Sequence, residues 1–99
     1  MHIWVDDVRP APYGYVRAHS VDETKLLISK AIAAGKTIEL LDLDHDAGDY
    51  AEQGGDFIRI LDWLEVSGIS IPIRLHTLNP VGRDNMEAII TKNGWKLVR

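Results

Sequence analysis

The chain has 99 residues and a mass of 11.1 kDa, 45% hydrophobic and 26% charged, enough for one domain with a buried core and too little for two. It contains no cysteine, which excludes disulfide frameworks, thiolate nucleophiles and Cys-based zinc or iron–sulfur sites. Eleven basic against fifteen acidic residues leave a net charge of −4, against a general nucleic-acid backbone binder, and no run approaches the ~20 apolar residues of a membrane span.

Residues His2 to Val5 form a short apolar run ending in Asp6 and Asp7, and Arg9, Pro10, Pro12 and Gly14 then break any regular element. This reads as strand, then loop. Tyr15 to Ala18 offers a second short strand. Ser20 with Glu23 three residues later forms a capping box ahead of Leu26, Leu27, Ala31 and Ala34, a helix closed by Gly35. Ile38 to Leu43 is nearly continuous apolar sequence, as expected of a central parallel strand covered on both faces. Asp44 to Gly54 is a polar loop, after which Phe57, Ile60, Leu61 and Leu64 mark one face of a second helix ending near Gly68. Ile69 to Leu75 follows as strand, with Pro72 near its start.

Asn79 before Pro80 has the pattern of an N-cap with proline at the first helical position, and Asp84 with Glu87 is a rival cap one turn later. Met86, Ile89 and Ile90 supply the buried face of this third helix. Asn93 and Gly94 stop it before a last strand at Trp95 to Val98. Strands alternating with helices at this spacing imply parallel pairing through right-handed crossovers, and so one domain over residues 1–99 built as a small three-layer α/β sandwich of about five strands. The N-terminus runs straight into acids, without the basic and apolar regions of a signal peptide, so a cytoplasmic location is expected.

In open parallel sheets, ligands bind outside the carboxyl ends of the strands. The residues there are strongly polar: Asp6 and Asp7 after the first strand, Asp42, Asp44, His45 and Asp46 at the central one, His76 and Thr77 after the next. Asp6, Asp7 and Asp44 repel one another unless shared protons or a hard cation such as Mg²⁺, Mn²⁺ or Ca²⁺ relieve them, and Asp46 stands beside them as a further ligand. The alternative is a set of turn-forming aspartates facing solvent. His45 and His76 follow separate strands and can act as general base and acid, bind a metal or hydrogen-bond a phosphate, with Asp44 and Asp46 orienting the imidazoles; each is alternatively a satisfied structural histidine. Asn79, Gly82 and Arg83 bring a glycine and a guanidinium to a helix start, suited to an anion or to simple capping. His2 and His19 have no such context. Trp4, Trp63 and Trp95 fall within strands or a helix and read as packing rather than as a base-stacking platform.

The chain resembles receiver domains, the phospho-accepting modules of response regulators, in Asp6 and Asp7 after strand one, Asp44 after the central strand and Thr77 after the next. That resemblance implies a flavodoxin-like fold, Mg²⁺ bound by the acidic pair, a phosphoryl group on Asp44 and a reading hydroxyl at Thr77. Two features depart from it: the lysine expected at the end of strand five is absent, with Val98 at about that position, and the first crossover helix is reduced or missing between Val8 and Gly14. More specifically, Asp6-Asp7-Val8-Arg9-Pro10, Leu43-Asp44-His45-Asp46 with Gly48, and His76-Thr77 with Asn79 to Met86 are similar to the receiver-like family of cyclic-phosphate processing domains. For that family the implied role is processing of a cyclic phosphate on a nucleotide, an RNA end or a sugar phosphate.

The resulting expectation is a metal-assisted phosphoesterase. Asp6, Asp7, Asp44 and Asp46 hold Mg²⁺ or Mn²⁺, His45 and His76 work with Asp44 in catalysis, and Thr77, Asn79, Gly82 and Arg83 bind phosphate. The partner is then a small phosphorylated ligand or an RNA end, not extended DNA and not a membrane. Two alternatives come from other classes: a stand-alone signalling module phosphorylated on Asp44, and a non-catalytic phosphate-binding module.

Overall fold

The computed structural model describes residues 1–99 throughout. Its elements are β1 His2–Val5, β2 Tyr15–Ala18, α1 Val21–Ala33, β3 Leu40–Leu43, a 3₁₀ turn Gly48–Tyr50, α2 Ile58–Ser67, β4 Ile73–Leu75, α3 Pro80–Lys92 and β5 Leu97–Val98. The five strands form one sheet in the order β2-β1-β3-β4-β5, every pair parallel. This is the α/β receiver-like architecture with a helix-free first crossover.

Local chemistry accounts for the boundaries. The Ser20 hydroxyl accepts from the Glu23 amide at 3.0 Å and starts α1. The Glu23 carboxylate reaches back one residue further than in a capping box, to the amide of His19. Asn79 caps α3 by accepting from the Gly82 amide at 3.0 Å, with Pro80 in the first turn; Asp84 and Glu87, the rival cap, lie inside this helix. Gly68 ends α2 at φ 69°, a left-handed position that glycine adopts without Cβ strain.

Three strands are shorter than the apolar runs suggested. β4 begins at Ile73 rather than Ile69, because Pro72 has no amide proton to enter the ladder, although its carbonyl still accepts from Leu41. β3 starts at Leu40 rather than Ile38, and β5 at Leu97 rather than Trp95. The expected polar loop Asp44–Gly54 contains the 3₁₀ turn. α1 also turns differently from its expected face: Val21, Thr24, Ile28 and Ala31 are buried, whereas Leu26 is 55% exposed. Burial of α2 through Ile60, Leu61 and Leu64 follows the periodicity.

Topology then decides which side of the sheet is covered. After stepping out to β2, the chain always moves the other way across the sheet, so right-handed crossovers place α1, α2 and α3 on one face. Ile3, Val5, Leu41, Leu43, Ile73 and Leu75 point into the core beneath them. The β1–β2 connection runs in the opposite sense and crosses the other face, where the Trp4 indole donates to the Arg9 carbonyl at 3.1 Å. The third layer of the expected sandwich is therefore this extended segment and not a helix. No helix is long and apolar enough to cross a membrane.

Candidate active site

The loops after β1, β3 and β4 meet at the carboxyl edge of the sheet. Asp6 and Asp44 are buried and Asp7 is half-buried, and one ligand oxygen from each lies within 4.8 Å of the others. Asp6 is the best held. Its Oδ1 accepts from the amides of Val8 and Arg9 at 2.9 and 2.8 Å, and its Oδ2 faces His76 Nε2 at 2.9 Å. Burial pushes the Asp6 carboxyl up, but the Arg9 and Val8 amides and the His76 ring together outweigh it and hold the group below its ordinary range. Asp44 accepts from the His45 amide at 2.8 Å.

Asp7 is the uncompensated member. Burial pushes its carboxyl up, the charges of Asp6 and Asp44 add to this, and its own backbone amide only partly opposes them. Its carboxylate occupies the space where a side chain on Gly48 would begin, so the glycine makes room for it. Three hard oxygen donors with one left short of positive charge fit a divalent cation of the Mg²⁺ or Mn²⁺ kind.

One cation is built in. Arg9 places Nε 3.5 Å from Asp6 and Nη2 3.9 Å from Asp44, while Nη1 donates to the His76 carbonyl at 3.2 Å. Positive charge thus reaches Asp44 from the β1 loop, whereas Val98 stands where the receiver resemblance expects a lysine.

The two histidines have different settings. His76 is clamped: Nδ1 lies 2.7 Å from Asp42, Nε2 2.9 Å from Asp6, and its ring stacks on Trp4 at 3.7 Å with a 3° interplanar angle. With both acids ionised, an imidazolium is the form that donates to both. His45 has Nδ1 2.7 Å from Asp46, and its Nε2 has no protein partner. Its ring packs flat against Gly82, where an added Cβ would lie 2.5 Å from the His45 Cγ. Asp46 belongs with this second group, His45, Asp46 and Asp56, rather than with Asp6, Asp7 and Asp44; the expected ligand quartet divides into a carboxylate triad and a His–Asp pair.

A scan of protein families matches residues 1–92 to the cyclic-phosphate processing receiver domain. The chain belongs to this family. No curated protein and no solved structure matches it significantly.

For a cyclic-phosphate processing receiver domain, the expected phosphate-binding set is differently arranged. The Gly82 amide is spent on the Asn79 side chain, and Asn79 Nδ2 reaches Asp46 at 3.3 Å. Arg83 donates to the Leu75 carbonyl at 3.0 Å and lies 3.6 Å from Glu87, so its guanidinium is turned back onto β4 and α3. Thr77 is buried and its hydroxyl oxygen accepts from the Asn79 amide at 3.1 Å. The glycine at position 82 is explained by the His45 ring rather than by an anion. Sequence reasoning placed Asp42 among the polar residues at the strand ends without giving it a role, and missed Arg9 and Trp4 as site residues. Arg9 was legible as the residue following the acidic pair; the roles of Asp42 and Trp4 required the strand register that sets them side by side.

Proposed function

We propose that this domain is a metal-assisted phosphoesterase that opens a cyclic phosphate. The observation that carries the reading is the convergence of Asp6, Asp7 and Asp44 within 4.8 Å, beside a His45–Asp46 pair whose Nε2 is unpartnered. These carboxylates would hold Mg²⁺ or Mn²⁺, which when bound supplies Lewis-acid polarisation of the phosphate and acidifies a water. Asp46 fixes the His45 tautomer and orientation, and Nε2 takes the proton of the attacking water. The new P–O bond forms as the ring P–O bond breaks, and the released alkoxide is protonated from solvent. His76, with both nitrogens engaged, acts as a clamp on Asp6 rather than as the second proton carrier; Arg9 adds fixed positive charge beside the phosphate.

The test is phosphorus NMR with 2′,3′-cyclic nucleotides and a cyclic phosphate of ADP-ribose, with Mg²⁺ or Mn²⁺ present and then chelated. A metal-dependent monoester that His45→Ala abolishes is expected. Absence of any monoester across the panel would overturn the reading. An acyl phosphate on Asp44 from a small phosphodonor, without monoester, would replace it with the signalling module.

A further inference from the structure

α1 buries Val21, Thr24, Ile28 and Ala31, and its outer side carries a second stripe. Glu23, Leu26, Leu27 and Lys30 are spaced 0, 3, 4 and 7 along the helix and so share one face. Leu26, expected in the core, is 55% exposed, and Val16 on the adjoining strand β2 is 40% exposed. With Arg17 these residues line an open groove of about 300 Å³.

The charges at the two ends of the stripe are opposite and uncommitted. Lys30 is exposed and has no ion-pair partner. Glu23 spends only one oxygen: Oε2 accepts from the His19 amide at 3.0 Å and faces His19 Nδ1 at 3.2 Å, while Oε1 has no partner. The stripe therefore reads acid, leucine, leucine, base, with both charges equally far from its centre. Laid antiparallel against a copy of itself, it sets Glu23 opposite Lys30, Leu26 opposite Leu27 and Lys30 opposite Glu23. That is the condition for an isologous two-fold contact, in which one patch is its own complement. A foreign helix of single charge sign would leave one end of the stripe facing like charge.

The same side of the molecule holds an open sheet edge. β2 is the outermost strand. Its Ala18 carbonyl accepts from the Asp6 amide, toward β1, so the Arg17 amide and carbonyl point the other way. Edges of this kind are usually covered or blunted, and a copy seated on α1 shelters this one. The Arg17 side chain does not oppose it. Its Nη2 reaches the Asp6 carbonyl at 3.4 Å, toward the carboxyl end of the sheet, and antiparallel copies send the two guanidiniums to opposite ends.

We propose that the chain forms a two-fold symmetric dimer in which α1 packs antiparallel against α1 of a second copy, with Leu26, Leu27 and Val16 at the centre and Glu23–Lys30 pairs at both ends. α1 has 13 residues and is about 20 Å long. One helix pair of that length buries less than the roughly 1,200 Å² of stable complexes, which puts dissociation in the micromolar range. The contact uses none of Asp6, Asp7 and Asp44, so it stands independently of the phosphoesterase reading.

The experiment is sedimentation equilibrium of the full chain from micromolar to millimolar concentration, with far-UV circular dichroism to establish that each variant is folded. The parent is expected to be a reversible dimer. Leu26→Lys, Lys30→Glu and Glu23→Lys should each weaken it by about tenfold or more, because every change acts twice across the axis. An equimolar mixture of Lys30→Glu and Glu23→Lys should regain the parent's affinity, since the mixed pair again sets acid opposite base at both ends. Lys25→Glu, in the groove toward α2, should leave the dimer unchanged. A monomer at every concentration would overturn the proposal and leave the stripe to a helix of another protein. A dimer indifferent to Leu26→Lys and Lys30→Glu would overturn it too, by placing the contact elsewhere; these two variants decide the surface even where Glu23→Lys is unfolded. Folded charge variants whose mixture stays monomeric would overturn the antiparallel arrangement.

Discussion

Replacing Gly82 by alanine tests whether that glycine exists for the His45 ring. Within a helix, Gly→Ala ordinarily stabilises by roughly 0.5–1 kcal/mol, because alanine has less backbone freedom to lose. Here the added Cβ would lie 2.5 Å from Cγ, 2.6 Å from Cδ2 and 2.9 Å from Nδ1 of His45, atoms at or near the root of the ring that a small tip rotation does not move. Overpacking of this kind costs roughly 1–3 kcal/mol. The net expectation is a loss of about 1 kcal/mol, or a melting temperature lowered by about 4–8 °C in a domain of this size. His45→Ala removes the obstacle, so Gly82→Ala in that background should recover its helical gain, leaving a coupling of about 2 kcal/mol in a double-mutant cycle. Thermal unfolding followed by circular dichroism measures all four proteins. A Gly82→Ala single variant more stable than the parent, or a cycle that closes without coupling, would refute the reasoning. Turnover should fall in Gly82→Ala as well, because the displaced ring leaves Asp46.

Three further outcomes follow from the carboxylate cluster. Asp7 has a raised carboxyl pKa, so its ionised form weakens the metal-free fold above that value; Asp7→Asn should raise the melting temperature at neutral pH, lose that advantage in acid, and bind Mn²⁺ more weakly in a calorimetric titration. Asp6 has a lowered carboxyl pKa, so its contribution to stability is full above the ordinary carboxylate range and is lost as pH falls through the lowered value; an Asp6→Asn variant should show a correspondingly flatter stability profile in acid urea titrations. His76→Ala strips two carboxylates, each 1% exposed, of their shared partner, and breaking a buried pair in this way costs about 3–5 kcal/mol. Far-UV circular dichroism should therefore find His76→Ala largely unfolded or strongly destabilised, and full stability would refute the clamp.

Much of the layout was legible because it depends on near neighbours in the chain. Apolar period marked α2 through Ile60, Leu61 and Leu64, Ser20 and Asn79 announced helix starts, and the β1 run ending in Asp6-Asp7 placed acids at a strand end. Alternation of strand and helix, with short connections, dictates parallel pairing, and parallel strands bring their carboxyl ends to one edge. The acidic triad follows from that alone.

What the chain pattern left open were choices between partners distant in sequence. Asp46 sits two residues from Asp44, yet it turns toward His45 and Asp56 because the strand has ended and each residue of the following loop answers to its own contacts. His76 and Asp42 are separated by 34 positions and meet because β3 and β4 register Asp42 beside Arg74, two residues before the histidine and so on the same side of the sheet. Arg83 had a helix start to serve, but the Leu75 carbonyl and Glu87 lay nearer. The helix-free face of the sheet arises from handedness: every helical crossover moves in one direction, so no local property of any segment records that the opposite side receives only the β1–β2 connection.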